Sequence, residues 1–153
     1  MPRLNTSLEA SGAEFLVLGN LLIQGIQAFK TYTNFPGYDL IATHPEKNTS
    51  SRIQVKSRWA TDFDGGFPIK NFDSDFVVFV ALNRGYRYRK KKCITNDDNG
   101  CRTPQFFIFP IEVIKTAQNP ESSWGKVFLR HIDQVDQYEN NWSLIQKFLT
   151  TAL

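Results

Sequence analysis

The stretch GYDLIATHPEKNTSSRIQVKSR, Gly37 to Arg58, brings a carboxylate at Asp39, a side-chain amide at Gln54 and an ammonium at Lys56 into one short span. Strand side chains alternate faces, so Ile53 and Val55 point one way while Gln54 and Lys56 point the other. If the strand holding Asp39 pairs with the strand holding Gln54 and Lys56, the three polar groups meet on one sheet face. Hard cations such as Mg²⁺ or Mn²⁺ take oxygen ligands, combining carboxylates with carbonyls, waters and substrate phosphate. Asp39, the Gln54 side-chain oxygen and the Val55 backbone carbonyl supply such a set. A metal held there polarises a phosphodiester and lowers the pKa of a bound water, with Lys56 orienting the water or stabilising developing charge. The plainer reading of Gln54 and Lys56 is the solvent side of an antiparallel strand.

A second cluster is electrostatic. The run RGYRYRKKK holds Arg84, Arg87, Arg89, Lys90, Lys91 and Lys92 without an anion, so a chain of net charge +3 is otherwise net negative. Cations interleaved with Tyr86 and Tyr88 suit a polyanion whose phosphates need neutralising and whose bases offer stacking faces. An edge strand protected by Lys and Arg has the same composition. Arg58 at the end of its strand reads either as a phosphate contact or as a solvated strand end.

The elements that must position these groups follow from periodicity. Residues 1–10 show no clear pattern and read as a loose lead-in. Ser11 and Glu14 form a capping box ahead of Phe15, Leu18, Leu21 and Leu22 at helical spacing, which predicts a helix ending near Gly25. IQAFKTY, YDLIAT and SRIQVKSRW read as strands, with NFPG a turn between the first two. TDFDGGFPIKNFDS reads as loop, and DFVVFVALN as a strand buried on both faces. Arg84 to Pro104 is either a functional excursion or an extended hairpin. QFFIFP predicts a strand, IEVIKTAQ a short helix, KVFLRHI a short strand, and ENNWSLIQKFLT a closing helix with Trp142, Ile145 and Leu149 on one side. Helix, strands, helix is the order of an α/β or α+β layer fold.

Composition sets the outer limits. At 153 residues, with 41% apolar, 22% charged and 14% aromatic residues including thirteen Phe, the chain is long and apolar enough to bury a core as one domain over 11–153. No apolar run approaches the roughly 20 residues of a membrane helix, and no signal-peptide pattern opens the chain, so a cytoplasmic address without membrane partners is expected. Cys93 and Cys101 read as thiols, since only His44 and His131 could complete a zinc set and the spacing is wrong for one. Trp59, Trp124 and Trp142 read as packing residues.

The pattern E…GYD…QVK resembles the PD-(D/E)XK nuclease superfamily in its Gln-containing form, as in Mrr-like restriction endonucleases and the related Holliday-junction resolvases. SGAEFLVLGNLLIQG, GYDLIA, RIQVKS, DFVVFVAL, FFIFPIEVI and NNW are similar, in order, to a group of small bacterial proteins of that superfamily. The resemblance implies a restriction-endonuclease-like core, a central mixed sheet flanked by helices. It implies a Mg²⁺- or Mn²⁺-dependent endonuclease acting on DNA, with RNA still open, and a homodimer where both strands are cut. It makes Asp39 the metal carboxylate, Gln54 the ligand in place of the usual acidic residue, Lys56 the catalytic lysine and Glu14 the helix carboxylate that holds a metal or its water. Gln54 leaves the site less negative than the usual motif, so the alternative is a nucleic-acid-binding module that keeps the fold without cleaving. A small interaction protein whose basic arm binds a protein partner is a third reading.

Overall fold

Capping signals decide where the first helix lies. In the computed structural model, which describes residues 5–32, 37–87, 98–118 and 125–151, helix α1 runs Thr6–Ile23. Asn5 is its N-cap, the side-chain oxygen accepting the Ser7 N–H at 3.0 Å, and Glu9 places negative charge in the first turn. The helix closes at Gly25, whose φ of 81° turns the chain so that its N–H reaches the Leu22 carbonyl at 3.0 Å. Residues 6–10 are therefore helix rather than a loose lead-in. Ser11 falls in the helix interior and forms no capping box with Glu14, because Asn5 has already begun the helix. The buried stripe is Ala13, Val17 and Leu21, while Phe15 and Leu22 are 53% and 52% exposed. The short Ala13 and Val17 side chains let the helix lie close on the strands beneath.

Those strands are β1 (Gln27–Lys30), β2 (Leu40–Thr43), β3 (Ser50–Arg58), β5 (Phe76–Ala81) and β6 (Gln105–Pro110), with β4 (Gly66–Pro68) and β7 (Lys126–Phe128) outside the main sheet. The main sheet has five strands in the order β1-β2-β3-β5-β6; β3 and β5 are parallel and every other pair is antiparallel. This is the expected mixed central sheet. Helices α1 and α3 (Ser143–Thr151) cover one face through Val17, Leu21, Ile145 and Leu149. Helix α2 (Ile111–Ala117) and the β4–β7 ribbon cover the other through Ile114, Phe67 and Val127. Between them β5 is buried along its whole length, Val78 and Val80 facing the first layer and Val77 and Phe79 the second. Phe79 stacks on Phe67 with ring centroids 5.1 Å apart, an aromatic anchor contributing about 1.5–3 kcal/mol through burial.

Three local differences from the sequence reading have simple causes. The loop expected over Thr61–Ser74 contains β4, whose three residues are too few to display alternation. The strand expected over Lys126–Ile132 stops at Phe128 and gives way to a 3₁₀ turn, Leu129–His131. Arg84 and Cys101 form an antiparallel bridge, and Arg102 donates its N–H to the Asn83 carbonyl at 2.8 Å, so the ends of the Arg84–Pro104 segment are a hairpin stem. Asp98 ties that stem, accepting from Arg102 at 2.8 Å, from the Gly100 N–H at 2.9 Å and from the Tyr86 hydroxyl at 2.9 Å, and these bonds hold its carboxyl well below the usual range. Gly85 meets the Trp59 ring, where a Cβ would sit 3.2 Å from it. Arg89, Lys90, Lys91, Lys92, Cys93, Trp124 and most of the NFPG turn lie outside the described residues. Among the described residues no helix is long and apolar enough to cross a membrane.

Candidate active site

Strands β2 and β3 pair from Thr43 opposite Ser50 to Leu40 opposite Ile53, and beyond that they part. Asp39 fills the opening. Its N–H donates to the Ile53 carbonyl at 2.8 Å, and its carbonyl accepts from the Thr31 N–H and hydroxyl at 3.0 Å each. Its carboxylate Oδ2 takes the Val55 N–H at 2.8 Å, standing in for the backbone partner that β2 no longer provides. The N–H and C=O of one strand residue lie on the same edge, so the Val55 carbonyl faces this opening too.

Gln54 is only 6% exposed. Its amide gives one hydrogen to the Gly37 carbonyl at 2.9 Å and the other to the Asn71 carbonyl at 3.0 Å. Two acceptor partners identify the nitrogen, fix the amide plane and leave Oε1 as the acceptor end. Gln54 is thus a buried, clamped amide, and the solvent-side reading of this strand face does not hold for it. Lys56 follows on the same face of β3.

The ionisable groups are linked through Asp39. Burial raises the Asp39 pKa, the Val55 N–H pulls it back, and the charge and hydrogen bond of Glu14 raise it further. Burial lowers the Lys56 pKa, Asp39 opposes that shift and Arg58 reinforces it. Glu14, Asp39 and Lys56 are therefore one electrostatic unit. Because α1 starts at Thr6, Glu14 lies mid-helix and faces the sheet, where it pairs with Lys30 at 2.8 Å. The Lys30 ammonium also sits 4.5 Å from the Phe15 ring centroid. Lys30 escaped the sequence reading; its one signal is the register that sets it opposite Leu40, beside Asp39. Glu14→Gln should lower the Asp39 pKa, because the charge and hydrogen bond of Glu14 both raise it. A carbon-detected NMR titration of the Asp39 carboxyl checks this; an unmoved midpoint would show that the two carboxyl groups are not in contact.

The phosphate-binding candidates divide by position. Arg58 donates Nε–H to the Gly66 carbonyl at 2.7 Å, and Ser57 beside it donates its hydroxyl to Glu9 at 3.4 Å. Burial raises the Glu9 pKa against the pull of Ser57 and Arg58. Arg84 and Arg87 are exposed on the hairpin stem. Since β3 and β5 run parallel, that stem leaves the sheet at the same end as Lys56 and Arg58.

Among the described residues no group of three or more His, Cys, Asp and Glu is arranged around one point. What the structure brings together is the pair of Asp39 and Glu14 carboxyl groups; Gln54 Oε1 and the Val55 carbonyl are further oxygens on the neighbouring strand β3. Two carboxyl groups in hydrogen-bond contact carry a repulsion that a divalent cation would relieve. Together with an immobilised amide oxygen they fit Mg²⁺ or Mn²⁺ rather than a softer metal.

No protein-family model and no curated protein matches the chain. Among solved structures, the bacterial homing endonuclease I-Ssp6803I is similar at 18% sequence identity and a TM-score of 0.57, over 94% of this chain and 93% of that one. At that identity the likeness is one of fold, and it is a nuclease-like α/β architecture spanning nearly the whole of both chains.

Proposed function

We propose that this chain is a metal-dependent nuclease hydrolysing DNA phosphodiester bonds, built on the Gln-containing PD-(D/E)XK pattern. The observation that carries the reading is the Asp39 carboxyl held at the parting of β2 and β3, in electrostatic contact with both Glu14 and Lys56. Asp39, Gln54 Oε1 and the Val55 carbonyl would hold the cation, with Glu14 holding it directly or through water. A bound divalent cation supplies polarisation of the phosphodiester and a water of lowered pKa. The remaining steps belong to the side chains. Burial lowers the Lys56 pKa, and the share of it present as free amine would accept a proton from the attacking water as the new P–O bond forms and the old one breaks. The leaving oxygen takes its proton from solvent. Arg58, two residues on along the same face of β3, would neutralise the phosphate as negative charge builds. The fold likeness to a homing endonuclease supports this reading at the level of architecture.

Labelled duplex, single-stranded, forked and four-way DNA incubated with Mg²⁺ or Mn²⁺ tests it. Cleavage of at least one substrate, abolished by chelator and restored by metal, is the expected result. Salt-sensitive binding that is indifferent to chelator, without turnover on any substrate, would assign the protein to the non-cleaving alternative.

A further inference from the structure

The β4–β7 ribbon carries charge that the active-site reading leaves unused. It pairs Gly66 with Phe128 and Pro68 with Lys126. Gly66 is bare for a reason: a Cβ there would lie 2.5 Å from the Lys126 Cε and 2.9 Å from the Phe128 ring. The Lys126 chain and the Phe128 ring therefore pack against Gly66, whose carbonyl receives Arg58 at 2.7 Å. The Lys126 ammonium sits 5.0 Å from the Phe128 ring centroid, and the Arg130 guanidinium 4.1 Å from it. Asp64 pairs with Lys126 and accepts the Gly66 N–H at 3.0 Å, so it anchors the near end of this array. Arg130 at the far end is exposed and has no carboxylate partner among the described residues.

These contacts join end to end. Lys56 and Arg58 are two residues apart on one face of β3, Arg58 is bonded to Gly66, and Gly66 underlies Lys126 and Phe128, which carries Arg130. Four cations thus lead away from the site, with the Glu9 and Asp64 carboxylates beside them. We infer that Arg58, Lys126 and Arg130 form a backbone track for duplex DNA, holding the phosphates on one side of the scissile bond. Phe128 serves as the spacer that fixes the two outer cations by cation–π contact rather than as a base-stacking platform. The inference rests on the nuclease reading and adds to it a direction: the duplex runs from Lys56 across β4 and β7. A polyanion of regular phosphate spacing is the partner such a row fits, and its contacts position the duplex without reading its sequence.

The test is binding of a labelled random-sequence duplex to Lys56→Ala protein across a potassium chloride series, repeated with Arg130→Gln, with Arg130→Lys and with the Lys126→Gln/Arg130→Gln pair added. Arg130→Gln should flatten the slope of log K against log salt by up to about 0.9, and the pair by up to about twice that. Arg130→Lys should restore the parent slope, since only charge is required. Arg130 is exposed, so its single variants keep the fold whatever the pair does. An unchanged slope in Arg130→Gln and the pair, with the parent still binding salt-dependently, overturns the track and leaves the nuclease reading standing. A parent that shows no salt-dependent duplex binding overturns both.

Discussion

Lys56→Ala should lower metal-dependent cleavage by a factor of about 10²–10⁴, the range in which a positioned proton acceptor contributes to a reaction. Lys56 is charge-coupled to Asp39, and burial pushes it toward its neutral form. Cleavage by the parent should accordingly rise with pH as the ammonium is lost, and Lys56→Arg, which keeps its charge, should lose that limb. The stability effect has a definite sign. A lysine whose folded pKa lies below 10.5 opposes folding while it is charged, and the penalty is relieved as pH rises from the folded value toward 10.5. Lys56→Met should thus be more stable than the parent near neutrality and no more stable at strongly alkaline pH. Asp39 behaves differently. Its carboxylate accepts the Val55 N–H, so Asp39→Ala leaves that donor without a partner and should cost about 1–3 kcal/mol of stability along with activity. Asp39→Asn keeps an acceptor in place and should spare the fold while abolishing cleavage. Since the Asp39 pKa is raised, the parent loses stability as pH climbs from the unfolded to the folded value, and Asp39→Asn should flatten that fall. Rate profiles with denaturant titrations separate these effects; full activity in Lys56→Ala would remove it from the chemistry.

Gln54→Glu should weaken the metal-free protein by about 2–5 kcal/mol and should be rescued by Mg²⁺ more strongly than the parent is. The side chain is 6% exposed and both amide hydrogens go to carbonyls. A carboxylate in the same place has nothing to donate, so it would face the Gly37 and Asn71 carbonyls as a buried, unpaired charge. A cation at Gln54 Oε1 would compensate, and the added charge would tighten its hold. Thermal unfolding across a metal titration reads both parts, since a ligand that binds only the folded state raises stability with its concentration. Destabilisation without enhanced metal rescue would place Gln54 outside the coordination sphere and leave it a purely structural clamp. The carbonyls of loop residues Gly37 and Asn71, far from Gln54 in the sequence, are what make this position an amide.

Several features of the molecule are decided locally and are legible in the chain. The pairing of the Asp39 segment with RIQVKS follows from two short apolar runs flanking a polar turn, and the double burial of FVVFVA follows from its lack of any polar residue. Period two along β3 put Gln54 and Lys56 on one face without reference to a partner. The closing helix with Trp142, Ile145 and Leu149 inward is likewise a matter of helical spacing. Other features depend on groups that meet only when the layers pack. The face that α1 buries was set by how closely Ala13 and Val17 could approach the sheet, which its apolar spacing alone misassigned to Phe15 and Leu22. Glu14 turned from a cap into a partner of Asp39 and Lys30 because the helix began at Asn5, and because β1 lies against β2 in a register that carries Lys30 to the site. The track through Arg58, Lys126 and Arg130 joins residues widely separated along the chain, across a three-residue ribbon. It exists because Gly66 leaves room for two side chains, and spacing along a chain does not register a contact created by the removal of a single Cβ.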